Sequence, residues 1–221
     1  MIDLHTHTLF SDGELLPEEL VRRAEVAGYR VLGITDHVDT SNIDFVLPRI
    51  VKVCKALAGK VKISVIPGVE LTHLLPADFS GLVRYARENG ACLVLGHGET
   101  LSEPVRSGTN LAAIEAGVDI LAHPGIIAEN EARLAAEKGV SLEISARKGH
   151  CLGNGHVVKT ALSTGARLVL NSDTHSPDNL ITRKQADLIA RGAGLEQEQI
   201  QEVLRKNIEE LAKILITRFS R

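Results

Sequence analysis

Residues 2–7, Ile2-Asp3-Leu4-His5-Thr6-His7, form a short apolar run that ends in a pair of histidines. The design recurs down the chain. Further apolar runs of strand length lie at 31–35, 61–69, 91–95, 118–122, 140–144 and 167–170. Amphipathic stretches with helical spacing separate them, at 17–27, 45–58, 78–88, 110–116 and 129–138. Pro17 stands in a first-turn position, where its missing N–H costs nothing. Gly28, Gly59, Gly90, Gly117 and Gly139 each follow a helical stretch, as C-terminal caps do. Near-continuous apolar strands alternating with helices predict a parallel sheet covered by helices. Seven such strands without a Gly/Pro/Ser-rich linker predict an α/β fold, a distorted seven-stranded β/α barrel occupying 1–221 as a single domain. The stretch 196–216 puts Ile200, Val203, Leu204, Ile208, Leu211 and Leu215 on one helical face, which predicts a helix packed on the barrel.

Composition narrows the function. A net charge of −3 and a pI of 6.3 exclude a basic nucleic-acid groove as the dominant surface. With four Phe, two Tyr and no Trp, base-stacking platforms are excluded as well. Cys54, Cys92 and Cys151 stand far apart with no C-x-x-C pair, against a disulfide framework or a thiolate zinc site. Free thiols suit a reducing compartment, no apolar run has membrane-spanning length, and the N-terminus has no signal-peptide pattern. A cytoplasmic protein without a membrane partner is expected, its state as monomer or homo-oligomer left open. Nine histidines stand out in a chain so poor in other rings.

Those histidines sit where the strands end. Strand one ends His5-x-His7, with Asp12 five residues on, and strand two ends Asp36-His37. The next ends are Gly68-Val69-Glu70, Gly96-His97 and His123-Pro124, and the last strand runs into Asn171-Ser172-Asp173-Thr174-His175. In a β/α barrel all strand termini meet at one face, so residues over 160 positions apart share one pocket. His5 and His7 point the same way, whereas of the neighbours Asp36 and His37 only one can face inward. Imidazole with carboxylate and without thiolate suits Zn, Mn or Fe. His5, His7, His37, His97, His123 and His175 with Asp12, Glu70 and Asp173 make nine donors, too many for one ion and suited to two or three divalent ions. Asp3 is expected to orient a ligand rather than to be one.

In these motifs the chain resembles the polymerase-and-histidinol-phosphatase (PHP) superfamily: His5-x-His7 with Ser11-Asp12-Gly13, Ile34-Thr35-Asp36-His37, Gly68-x-Glu70, His97, His123-Pro124 and Ser172-Asp173-x-His175. They span 1–176 in the family's order. The resemblance implies a distorted (β/α)7 barrel with a trinuclear metal centre. One metal would take His5, His7, Glu70 and Asp173. A second would share Glu70 and add His97 and His123, and a third would take Asp12, His37 and His175. The amidohydrolase barrel also opens with H-x-H, but Glu70 stands where its bridging lysine would be, and the strand at 140–144 ends without its histidine.

The function expected is hydrolysis of a small, histidinol phosphate-like phosphate monoester by a hydroxide bridging two metals. A phosphodiesterase or nuclease is the alternative, and a non-catalytic barrel the third possibility. Asp12, His37, Asp173 and His175 are read as catalytic as well as metal-ligating. Substrate phosphate is expected at the exit of the sixth strand, on Arg147, Lys148 and His150, with Asn154 as N-cap of a helix at 157–163. Arg183 is a weaker candidate for the same task. The segments 71–79 and 98–109 are expected to wall or cover the pocket.

Overall fold

The computed structural model describes residues 1–220. Eight short strands make one parallel sheet: β1 (Ile2–Asp3), β2 (Val31–Ile34), β3 (His37–Val38), β4 (Ser64–Leu71), β5 (Leu93–His97), β6 (Ile120–Ala122), β7 (Ser141–Ser145) and β8 (Leu168–Asn171). β2 and β3 both pair with β4 in one continuous register, Val31 opposite Ser64 and His37 opposite Glu70. They are therefore a single stave interrupted at Thr35-Asp36, and the barrel has seven. The expected (β/α)7 architecture is what the chain adopts.

The barrel closes loosely between its first and last staves. Thr6 and Thr174 form an isolated parallel bridge, and the His7 N–H donates to the Thr174 carbonyl (2.8 Å). Side chains complete the seam: the Leu4 N–H donates to Asn171 Oδ1 (2.9 Å), and the Asp3 carboxylate accepts from the N–H groups of His5 and Ser172 (both 3.2 Å).

Helices α1 (Pro17–Val26), α2 (Ile43–Leu57), α3 (Phe79–Glu88), α4 (Thr109–Ala116), α5 (Glu129–Lys138), α6 (Asn154–Thr164) and α7 (Arg183–Gly192) alternate with the staves. Their apolar faces share one core with the outward side of the sheet, including Leu20, Leu47, Ile50, Phe79 and Ile114. A second, smaller core fills the barrel itself: Leu4, Ile66, Leu93, Leu95, Ile120 and Val169. The lumen is narrow enough that a Cβ on Gly33 would come within 2.8 Å of Leu93 Cδ2 and 3.0 Å of Leu4 Cα.

The C-terminal stretch is helical and packs on the barrel as expected, but it is not one uniform α-helix. α8 (Gln197–Gln201) passes into a π-helical turn at Glu202–Asn207 and then α9 (Ile208–Phe219). Asn207 in that turn donates to the Leu168 carbonyl (3.0 Å). Ile208, Leu211, Ala212 and Leu215 then join the inner core and close the barrel's N-terminal end. No helix among the described residues is long and apolar enough to cross a membrane.

Two local expectations are corrected. The sixth helix begins at Asn154, three residues earlier than expected, and Asn154 does not cap it. Its amide clasps the end of β7 instead, accepting from the Ser145 N–H (3.1 Å) and donating to the Ser145 carbonyl (2.9 Å). Arg183 opens α7 with its guanidinium on the Leu204 carbonyl (2.8 Å) and near the Met1 amino group. It therefore lies at the end of the barrel opposite the strand termini.

Candidate metal centre

Eight of the nine histidines form one connected patch of ring contacts at the C-terminal mouth, from His5 and His7 through His37, His97, His123 and His150 to His73 and His175. The exception, His156, lies away from the patch and donates from Nε2 to the Ile127 carbonyl (2.7 Å). Glu70, at the end of β4, is fully buried in the middle and splits its oxygens. Oε2 lies 3.2 Å from His5 Nε2 and 3.6 Å from His7 Nε2, while Oε1 lies 3.4 Å from His123 Nε2. Asp173 faces the same space, Oδ1 3.3 Å from His7 Nε2 and 3.7 Å from His5 Nε2. At the rim, Asp12 Oδ1, His37 Nε2 and His175 Nε2 form a triangle with sides of 3.1, 3.4 and 3.5 Å.

These separations match ligands around an ion rather than hydrogen-bonded pairs. Two donors about 2.0–2.1 Å from a tetrahedral ion stand roughly 3.3 Å apart. His5 Nε2, both nitrogens of His7, both oxygens of Glu70 and Asp173 Oδ1 are buried without a hydrogen-bond partner. Buried donors and acceptors are ordinarily satisfied, and such a concentration of orphans is what groups able to hold a cation would present without one. Four sets of donors are close enough to hold one: His7, Asp12, His37 and His175; His5, His7 and Glu70; His5, His123 and Asp173; and His97, His123 and His150. A fifth, His73, His97 and Glu103, lies further out.

Backbone conformation aims several of these groups. His73, His123 and Asp173 are the only non-glycine residues with positive φ among the described residues, at 53°, 30° and 55°. Such strain persists only where the surroundings over-determine it. The break in the second stave serves Asp12. Asp36 turns its carboxylate to the 8–13 loop and accepts from the Thr8 N–H (2.8 Å), the Ser11 N–H (3.1 Å) and the Ser11 hydroxyl (2.8 Å). His37 therefore faces the centre while Asp36 supports the loop carrying Asp12.

The electrostatics follow from burial against carboxylates. Burial pulls the His5 imidazole down, but Glu143, Glu70 and Asp173 outweigh it and hold its pKa well above the usual range. His37 is raised in the same way, by Glu70 and Asp12 against burial. His7 is held well down by burial and by the surrounding histidines, and His123 falls to about 4 from burial and His97. Burial pushes Asp173 up to about 7, while Glu70 stays well below its ordinary value because His5 and His37 overcome its burial.

Of the residues expected from sequence, His5, His7, Asp12, His37, Glu70, His123, Asp173 and His175 converge. His97 is at the mouth but turns Nε2 to Glu103 (3.3 Å) rather than towards Glu70. Arg147 reaches the rim, donating to the Asp173 carbonyl (3.3 Å) with Nε 3.8 Å from Asp173 Oδ2. Lys148 is exposed. His150, expected on the substrate, is buried and stacked on His123 at 4.0 Å. Asp3 orients backbone N–H groups, as described above. The ring of His5 is held instead by Glu143, which sequence reading passed over: Oε1 accepts from His5 Nδ1 (2.9 Å) and Asn171 Nδ2 (2.8 Å), and Oε2 from the His123 N–H (3.2 Å). A carboxylate in the middle of a fully buried strand was the available signal. Glu103 and His73 had none.

Residues 3–215 match the PHP domain model. The chain belongs to the PHP domain family. It is 42% identical over 214 residues to an uncharacterized protein of Methanocaldococcus jannaschii, covering 96% of this chain and 98% of that one. It is 30% identical over 248 residues to a protein named "Probable phosphatase" of Shewanella pealeana, covering 99% and 93%. Among solved structures, a chain of archaeal ribonuclease P with mature tRNA superposes with a TM-score of 0.70 at 21% identity, covering 99% and 91%. Histidinol phosphate phosphatase of Lactococcus lactis, complexed with Zn, L-histidinol and phosphate, superposes with 0.58 at 17%, covering 88% and 94%. At those identities the two structures speak for the fold of this PHP barrel.

Proposed function

We propose that this PHP protein is a metal-dependent phosphoesterase that hydrolyses a small phosphate monoester of the histidinol phosphate kind. The observation that carries the reading is the cluster of orphaned, ligand-spaced donors around Glu70 at the barrel mouth. His5, His7, Glu70, Asp173 and His123 would hold the inner ions, and Asp12, His37 and His175 an outer one, two to three Zn, Mn or Fe ions in all. Such ions polarise the phosphoryl oxygens and lower the pKa of an attacking water. The chain's own part is positioning: Glu143 fixes the tautomer and direction of His5, and Asp36 fixes the loop of Asp12. Arg147, 29% exposed beside Asp173, would pair with phosphate at the rim, with Lys148 further out. The likeness to a "Probable phosphatase" over almost the whole of both chains supports the same reading. The three free thiols fit a cytoplasmic location.

The test is phosphate release from L-histidinol phosphate, simple monoesters and a dinucleotide diester, by protein loaded separately with Mn and Zn. Monoester turnover with kcat/KM of about 10⁴ M⁻¹s⁻¹ or better is expected. Arg147→Ala should raise KM while leaving bound metal unchanged. Cleavage of the diester alone would overturn the monoesterase reading in favour of a nuclease.

A further inference from the structure

At the end of the barrel opposite the histidines, the last turn of α6, the start of β8 and the π-helical turn at Glu202–Asn207 surround a hollow of about 360 Å³. That is within the size range of small-ligand sites. π turns are rare and occur frequently at functional places. This one is seated on β8 by Asn207, whose Nδ2 donates to the Leu168 carbonyl (3.0 Å).

The lining is balanced in sign. Arg167 and Lys206 bring two cations, and Glu202 and Glu210 bring two carboxylates. Of these, Lys206 and Glu202 approach one another at 3.7 Å, whereas Arg167 and Glu210 have no ion-pair partner among the described residues. α6 ends at Thr164, with Gly165 in the left-handed conformation as its cap, so the carbonyls of its last turn add partial negative charge to the same wall. The floor between the charges is apolar: Leu195 and Val203, each 3% exposed, with Leu162 half exposed at the edge.

One ligand class answers all of these features. A carboxylate pairs with the guanidinium of Arg167. An ammonium group is drawn to the end of α6 and to Glu210. An aliphatic side chain covers Leu195 and Val203 and removes apolar surface from water. A phosphate would meet two carboxylates here, and a simple amine would leave Arg167 unanswered. We propose that this hollow binds a free α-amino acid with an aliphatic side chain, at a site separate from the donors of the mouth.

Thermal unfolding of the purified full-length protein tests this, with L-valine, L-leucine, L-isoleucine and L-methionine and with the methyl ester and N-acetyl derivative of each. At least one free amino acid should raise Tm by about 3–6 °C at roughly ten times its dissociation constant. Its two derivatives, each lacking one of the charges, should not. Calorimetric titration should find binding weakened about tenfold or more in Arg167→Gln and in Glu210→Gln. Both variants should keep the wild-type Tm without ligand, since neither side chain is ion-paired. No shift with any of the four amino acids, or a shift shared by the derivatives, would overturn the assignment. Amino acids also chelate metal ions, so binding undiminished in both variants would place the ligand at the mouth and overturn it as well.

Discussion

Replacing Glu143 with glutamine tests the support of the centre at a single atom. The carboxylate accepts three hydrogen bonds inside the barrel, from His5 Nδ1, Asn171 Nδ2 and the His123 N–H, at 2.8 to 3.2 Å and with no exposure. Glutamine has almost the same shape, but one of its two terminal atoms is a donor. In either orientation at least one buried N–H then faces another N–H, and the charge opposite His5 is gone. A charge-assisted bond of this kind contributes about 1.5–3 kcal/mol, which for a chain of this size lowers Tm by roughly 3–12 °C. A partner that fixes a ligating imidazole contributes about 10–100-fold in metal affinity, or about 1.4–2.7 kcal/mol. Thermal unfolding of metal-free protein reads the first effect, and competition against a chromogenic chelator reads the second. Wild-type affinity in a variant with lowered Tm would show that Glu143 supports the barrel and not His5, refuting the reasoning.

Asp36→Ala should release the 8–13 loop from its anchor and cost about 2–4 kcal/mol; ion counting should find the Asp12, His37 and His175 position lost and the inner ones kept. Because Glu143 and Glu70 outweigh burial and raise His5, and Glu70 and Asp12 raise His37, both rings hold their protons more tightly than free imidazoles and must give them up to bind an ion. Calorimetry in two buffers of different ionisation enthalpy should detect proton release at pH 7, affinity and activity should fall on acidification and be low below roughly pH 6, and absence of release would refute the assignment. Their raised values also mean that the stability contributed by these two groups is present at acid pH and lost as pH rises through the folded values, whereas an ion bound to the neutral rings is favoured by the same rise in pH. Gly125→Ala should cost about 3 kcal/mol or more, since φ is +60° and a Cβ would lie 2.0 Å from the Glu99 carbonyl oxygen; Gly117→Ala, with φ +77° but open space, should cost only about 1 kcal/mol. Equal melting temperatures for the two would contradict the contact.

Eight of the nine expected ligands converge: seven sit at or just beyond the end of an apolar run, and a barrel gathers strand ends whatever their distance in sequence, while Asp12 arrives on the 8–13 loop that Asp36 holds. His5, Glu70 and Asp173 were legible for that reason alone. His97 was legible as a strand-end group but not in its direction, which depends on Glu103 in a loop whose path only tertiary packing sets. His73 escaped notice on the same ground. Glu143 is a different case: it lies in a run, Leu142-Glu143-Ile144, whose apolar neighbours face the helices while it faces the lumen, so alternation alone places it inside. Asn154 has the composition of a helix cap, and the nearby end of β7 offered its amide two backbone partners instead of one. The π turn at Glu202–Asn207 follows no residue pattern of its own; it sets the facing of Ile208, Leu211 and Leu215 towards the inner core.

That packing of α9 under the barrel fixes the side from which the site can be approached. With Leu4, Leu93, Leu95 and Leu215 filling the barrel beneath the donors, the N-terminal end is closed to them. His5, Glu70 and Asp173, at 0–2% exposure, face inward, while Asp12 at the rim keeps 55% of its side chain in solvent, so a group arriving from solution meets the rim first.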